Sequence, residues 1–109
     1  MPKTISVKIS KDSSTPITSC LVMGVSGDWI IGSEVDTEEL DTIEMYDEKS
    51  DTVYSSPIQS VVPVEYEGPF QRYLIVFDKK KVDVRSQEYN EKGFKFPGQG
   101  VQIRDSLTV

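Results

Sequence analysis

The sequence predicts a mainly β fold: a small, strongly bent, open β-barrel with extra strands or a hairpin and little or no helix. Three observations carry that expectation. Apolar residues recur with a period of two rather than 3.6. Turn-forming letters interrupt them at intervals of about ten residues. The 109 residues suffice for one core, since two cores would leave each half below the size that folds comfortably alone. A single domain over residues 1–109 is therefore expected, with no linker, internal repeat or low-complexity stretch.

The elements follow in order. Ile5, Val7 and Ile9 alternate with Ser6, Lys8 and Ser10, as in a half-buried strand. Residues 17–25 (ITSCLVMGV) form a mostly apolar run ending at Ser26, Gly27 and Asp28, which suit a hairpin turn before Trp29, Ile30 and Ile31. Gly24 and Gly32 then fall inside the flanking strands, as at bends or bulges. Asp36 and Glu39 have capping-box spacing with no apolar stripe behind them, so one helical turn is expected over 36–40. Ile43 and Met45, then Val53, bracket a second hairpin at residues 47–51. Residues 60–66 (SVVPVEY) read as an edge or bent strand, because Pro63 cannot donate to a ladder. Residues 74–77 (LIVF) form a buried run, Lys79, Lys80 and Lys81 turn the chain, and Val82 and Val84 alternate beyond them. Pro97, Gly98, Gln99 and Gly100 break the chain before Val101 and Ile103.

Composition excludes several kinds of chemistry. With no histidine and one cysteine, the chain cannot form a Ser-His-Asp triad, a Cys-His pair or an internal disulfide. A zinc site of the usual Cys/His kind is equally out of reach within one chain. The acidic segment lacks the ligand spacing of an EF-hand, so no metal site is expected. Carboxylates are so numerous that no pair marks a glycosidase-type site, and Gly98-Gln99-Gly100 is too short to cradle a phosphate. No cofactor and no enzymatic activity are expected. No apolar run approaches the roughly 20 residues of a membrane span, and the first residues lack a signal-peptide core. The expectation is a non-membrane, cytoplasmic protein (in the host cytoplasm if the chain is viral). Cys20, inside an apolar run, is expected to be a buried thiol.

Charge is unevenly distributed. The net charge is −6, from 12 basic and 18 acidic residues. Eleven of the acids lie between residues 34 and 67, where Lys49 is the lone base, whereas residues 68–109 carry eight bases against five acids. Such polarity orients a partner, or a second copy of the chain. Net acidity argues against sequence-blind duplex binding but not against a local basic site.

Residues 26–48 (SGDWIIGSEVDTEELDTIEMYDE) resemble the first motif of the Sm/LSm family, which includes Hfq-like proteins. Gly27, Asp28 and Trp29 match its turn and second strand, Gly32 the glycine where that strand bends, and Val35 and Asp36 the apolar–Asp pair that ends it. Leu40 and Asp41 stand where the family has an apolar residue and Asn, and Ile43, Glu44 and Met45 resemble its third strand. Residues 103–109 (IRDSLTV) are similar to the second motif, an Ile-Arg-Gly turn and a closing strand, with Asp105 in place of the glycine. The resemblance covers under a third of the chain and is that of a divergent, phage-type variant. It implies a homo-oligomeric ring of about five to seven subunits, whose open barrel edges pair between copies. It also implies binding of RNA or single-stranded DNA through Asp36, Asp41 and Arg104. Asp41 accepts but cannot donate, and Glu38 and Glu39 repel phosphate, so this loop departs from the family's base pocket.

The residues themselves offer a second nucleic-acid element. Lys79, Lys80 and Lys81 with Arg85 form the densest basic feature and suit phosphates on a hairpin tip. Arg72, Lys92 and Lys95 are candidate neighbours there, and Tyr89, Phe94 and Phe96 are candidate stacking partners. The alternative is a non-enzymatic protein-interaction module, viral or cellular, whose acidic segment 34–51 contacts a basic partner.

Overall fold

The alternation at the N-terminus becomes strand β1 (Lys3–Ile9) in a computed structural model of the chain, which describes residues 2–10, 12, 16–65, 68–85 and 101–106. Helix α1 (Ile17–Met23) and strand β2 (Val25–Ile30) follow. A 3₁₀ turn (Thr37–Glu39) leads into β3 (Leu40–Asp47), and a tight turn into the long β4 (Thr52–Val64). Beyond it come β5 (Arg72–Phe77), a second 3₁₀ turn (Lys79–Lys81), β6 (Asp83–Arg85) and β7 (Val101–Asp105). Strands dominate and the sheet is mixed, bent and open, as the period of two predicts.

The strand order is β2-β5-β4-β3-β1-β7, with β6 beside β4. Strand β1 lies parallel to β3, Ile5 facing Ile43 and Val7 facing Met45, while β7 pairs antiparallel on its other side. A parallel pair needs a crossover of a dozen or more residues, and the chain between β1 and β3 provides it through α1 and β2. Strand β4 does double duty. Residues 52–57 pair with β3 and residues 58–64 with β5, and a bulge at Gln59 separates the two registers. Bulges sharpen local twist, and here the two half-sheets fold toward each other around one core. Ile5, Val7, Ile43, Met45 and Ile75 are fully buried in it, with Phe77, Leu40 and Ile31 alongside. Pro63 sits in the second half of β4, in the bent strand where it was expected.

Four expectations are corrected. Residues 17–23 are helical, not extended, because Ile17 and Cys20 at i, i+3 spacing turn into the core, while Val22 and Met23 face outward. Gly24 is the left-handed cap of that helix (φ 70°), its N–H bonded to the Cys20 carbonyl at 2.8 Å, rather than a bend in a strand. Ser26, Gly27 and Asp28 are not a turn but part of β2, at a register irregularity against β5. Gly27 is required by close approach: a Cβ there would run into the Leu74 side chain and lie 3.1 Å from the Leu74 Cα and 3.2 Å from the Tyr73 carbonyl oxygen. Gly32 falls beyond β2, in the loop that follows.

Strand β2 pairs with β5, and β3 lies between β1 and β4. Other expectations hold. Asp36 caps its helical turn by accepting the Glu38 N–H at 3.0 Å, the hairpin at 47–51 joins β3 to β4, and Cys20 is a buried thiol. The expected break at residues 97–100 and the last residues of the second motif, 107–109, lie outside the described residues. Among the described residues no helix is long and apolar enough to cross a membrane.

Because backbone atoms of Leu74 and Tyr73 crowd Gly27 behind the Leu74 side chain, Gly27→Ala is expected to destabilise the fold by about 1–3 kcal/mol, read as a lower midpoint in urea unfolding. Gly32→Ala, whose Cβ would first meet the far end of the flexible Glu34 side chain, is expected to change stability by no more than about 0.5 kcal/mol.

Candidate functional site

The two ends of the strand order, β2 and β7, do not pair, and the seam between them is a groove of about 490 Å³. Its lining mixes apolar and polar surface; the apolar side chains are Ile30 at the end of β2, Val35 in the following loop, and Val101 and Ile103 on β7. Lys3 and Glu34 stand at its polar edge. The loop is built by consecutive backbone turns, Val35 N–H to the Gly32 carbonyl and Glu39 N–H to the Asp36 carbonyl, each 3.0 Å. These turns, with the Asp36 cap, leave Glu34 and Glu38 exposed at the surface.

Among the described side chains, the surroundings of the seam are acidic. Lys3 donates to the Asp105 carboxylate at 2.9 Å, an exposed pair. That hydrogen bond and charge raise the Lys3 ammonium above its ordinary value, with a smaller push from Glu39, and hold the Asp105 carboxyl below its own. One cation is thus matched locally, while Glu34, Asp36, Glu38 and Glu39 follow one another along the adjoining loop. A long aliphatic side chain with a cationic tip suits this arrangement: its methylenes cover Ile and Val walls while its charge stays at the wet rim.

The acidic segment is not one surface. Its second cluster lies at the far end of β3, about 23 Å along an eight-residue strand, and is largely absorbed by the turn there. Asp47 accepts the Ser50 hydroxyl at 2.6 Å, Asp51 accepts the Tyr46 hydroxyl at 2.8 Å, and Glu48 pairs with Lys8 at 2.9 Å. The bond to Asp51 pushes the Tyr46 phenol up to about 12, with desolvation and the neighbouring carboxylates adding to it.

The basic feature stands elsewhere. Lys79, Lys80 and Lys81 are exposed on the second 3₁₀ turn, which Asp78 caps by accepting the Lys80 N–H at 3.0 Å. Asp78 is itself fixed to β4, its N–H bonded to the Pro57 carbonyl and its own carbonyl to the Ser56 hydroxyl. The Lys79 ammonium donates to the Val22 carbonyl at the end of α1, at 3.3 Å. Beside this turn are Val22 and Met23, 73% and 68% exposed, so the lysines adjoin aliphatic rather than aromatic surface among the described residues. A shallow hollow of about 400 Å³ lies between them, lined by Met23, Gln59, Phe77, Lys79 and Lys80.

The residues predicted to hold nucleic acid are therefore not gathered into one site. Asp36 adjoins the seam as a helix cap, and Asp41 accepts the Ser106 hydroxyl at 2.7 Å, tying the chain beyond β7 to β3. Arg104 lies on β7 and Arg85 on β6; their side chains lie outside the described residues, as do Tyr89, Lys92, Phe94, Lys95 and Phe96. Lys79, Lys80 and Lys81 sit at the opposite end of β2 from the seam. The groove walls escaped the sequence reading, because Ile30, Val35, Val101 and Ile103 are ordinary strand-forming residues separated by up to about seventy positions and nothing local marks them as neighbours. Among the described residues no group of three His, Cys, Asp or Glu side chains could hold a metal ion. Comparison of the chain with family models, with curated proteins and with solved structures found no match.

The Tyr46 bond has a measurable consequence. A folded-state value of about 12 against an ordinary 10.0 means that its stabilisation is complete below pH 10 and is lost as pH rises through 12. In an ultraviolet phenolate titration Tyr46 is expected to ionise late, and Asp51→Asn, compatible with the left-handed φ of 52° at that position, is expected to return it toward its ordinary value.

Proposed function

We propose that the chain is a non-enzymatic protein-interaction module that takes a basic segment of a partner at the seam between β2 and β7. The observation that supports this most is the pairing of apolar walls, Ile30, Val35, Val101 and Ile103, with the acidic loop carrying Glu34 and Glu38. A lysine or arginine of the partner lays its methylenes on the walls and meets carboxylate at the rim. The contact is steered by the acidic loop and so depends on salt. Only the first half of the acidic segment takes part, since the second is engaged by its own turn.

A second reading, single-stranded RNA or DNA held by Lys79, Lys80 and Lys81, is favoured by the exposure of all three on a rigid turn. It is also the function that the Sm/LSm resemblance implies. Against it, Asp78 and Asp83 flank the lysines, and Asp36 and Asp41 stand at the other surface.

Titration of a labelled lysine-rich peptide separates the two. Binding is expected to weaken with salt, and Glu34→Gln with Glu38→Gln is expected to weaken it about fivefold. Peptide binding that ignores both substitutions would overturn the seam reading. Retention of oligo-U or oligo-A that Lys80→Ala with Lys81→Ala abolishes would establish the second instead.

A further inference from the structure

We infer that the basic partner at the seam is a second copy of this chain, which inserts its Lys79–Lys81 turn into the groove between β2 and β7 and so assembles head to tail. This rests on the seam reading and names its occupant.

Three observations carry it. First, the two surfaces are complementary in charge: exposed Glu34 and Glu38 on one, and exposed Lys79, Lys80 and Lys81 on the other. Asp78 and Asp83 flank the turn and reduce its charge, but the three exposed lysines leave it net basic. Second, the surfaces lie at opposite ends of β2. Gly24, just before the strand, receives the Phe77 N–H at 2.9 Å and adjoins Lys79, while Ile30 at the other end lines the groove. The five steps between Val25 and Ile30 span about 17 Å. The turn is held to α1 and β4 by the bonds from Lys79 to Val22 and from Asp78 to Pro57. A lysine stem reaches roughly 6 Å, so the Lys79–Lys81 turn does not reach the seam of its own chain. Third, the overall charge of −6 makes unoriented approach of two copies repulsive; a lysine turn meeting an acidic seam is an orientation with local attraction. Such a contact is heterologous, each copy offering one surface and receiving on the other, and it closes into a ring or extends as a filament according to the rotation between copies.

The test is sedimentation of the whole chain with exposed charges reversed. Wild-type protein is expected to self-associate at low salt and to dissociate near 1 M salt, where screening acts over about 3 Å. Glu34→Lys with Glu38→Lys, and separately Lys80→Glu with Lys81→Glu, are each expected to weaken association about tenfold or more. Mixing the two variants, or placing all four substitutions in one chain, is expected to restore it, which excludes misfolding as the cause of the loss. Wild-type association indifferent to both reversals would overturn the inference. A wild-type chain that stays monomeric up to about 1 mM yet binds the lysine-rich peptide would overturn self-assembly and leave the seam reading standing. A chain that does neither would overturn both.

Discussion

The arrangement depends on one strand serving two sheets. Strand β4 completes β3 with its first half and β5 with its second, and the bulge at Gln59 lets one backbone satisfy both ladders. If it ran straight, Ile43 and Met45 would lie on one flat sheet and Ile75 and Phe77 on another, each with a bare apolar face. Bent, the halves enclose one another. Full burial of an aliphatic or aromatic side chain stabilises by roughly 1.5–3 kcal/mol, so this fold against itself supplies much of the stability available to so short a chain. The same bend decides which strands are left at the ends of the order, and therefore where the seam falls.

Around that frame the polar groups divide into two kinds. Some are consumed locally: Asp36 and Asp78 cap their turns, Asp41 takes Ser106, and Asp47, Asp51 and Glu48 settle the β3–β4 turn. A carboxylate spent on an N–H or hydroxyl is a structural device, whatever its contribution to the formal charge. The others remain displayed, with Glu34 and Glu38 at the seam and the lysines at the far end of β2. Among the described residues, Glu34 and Glu38 thus form a short acidic surface at one end of β2 and Lys79, Lys80 and Lys81 a short basic one at the other.

Legibility varied with the range of the cause. The strand at Ile5, Val7 and Ile9, the turn capped by Asp36 and the hairpin at 47–51 were readable because alternation, capping and turn chemistry act over a few residues. The segment at 17–23 was misread because a short apolar run between Pro16 and Gly24 suits either a buried strand or a two-turn helix. Packing chose the helix by burying Ile17 and Cys20 together. Gly27 was recognised as necessary, but for conformational freedom rather than for the space Leu74 requires.

By itself the amino-acid order determined that this chain is mostly β, with a polarised charge pattern, no histidine and no internal disulfide, since these follow from composition and nearest neighbours. Tertiary structure alone decided that β1 runs parallel to β3, that β2 and β7 end up facing across a seam of mixed apolar and polar lining, and that the acidic segment splits between two ends of one strand. Those outcomes depend on where a bent β4 sends residues far apart in the chain, and no local pattern encodes a meeting between Ile30 and Ile103.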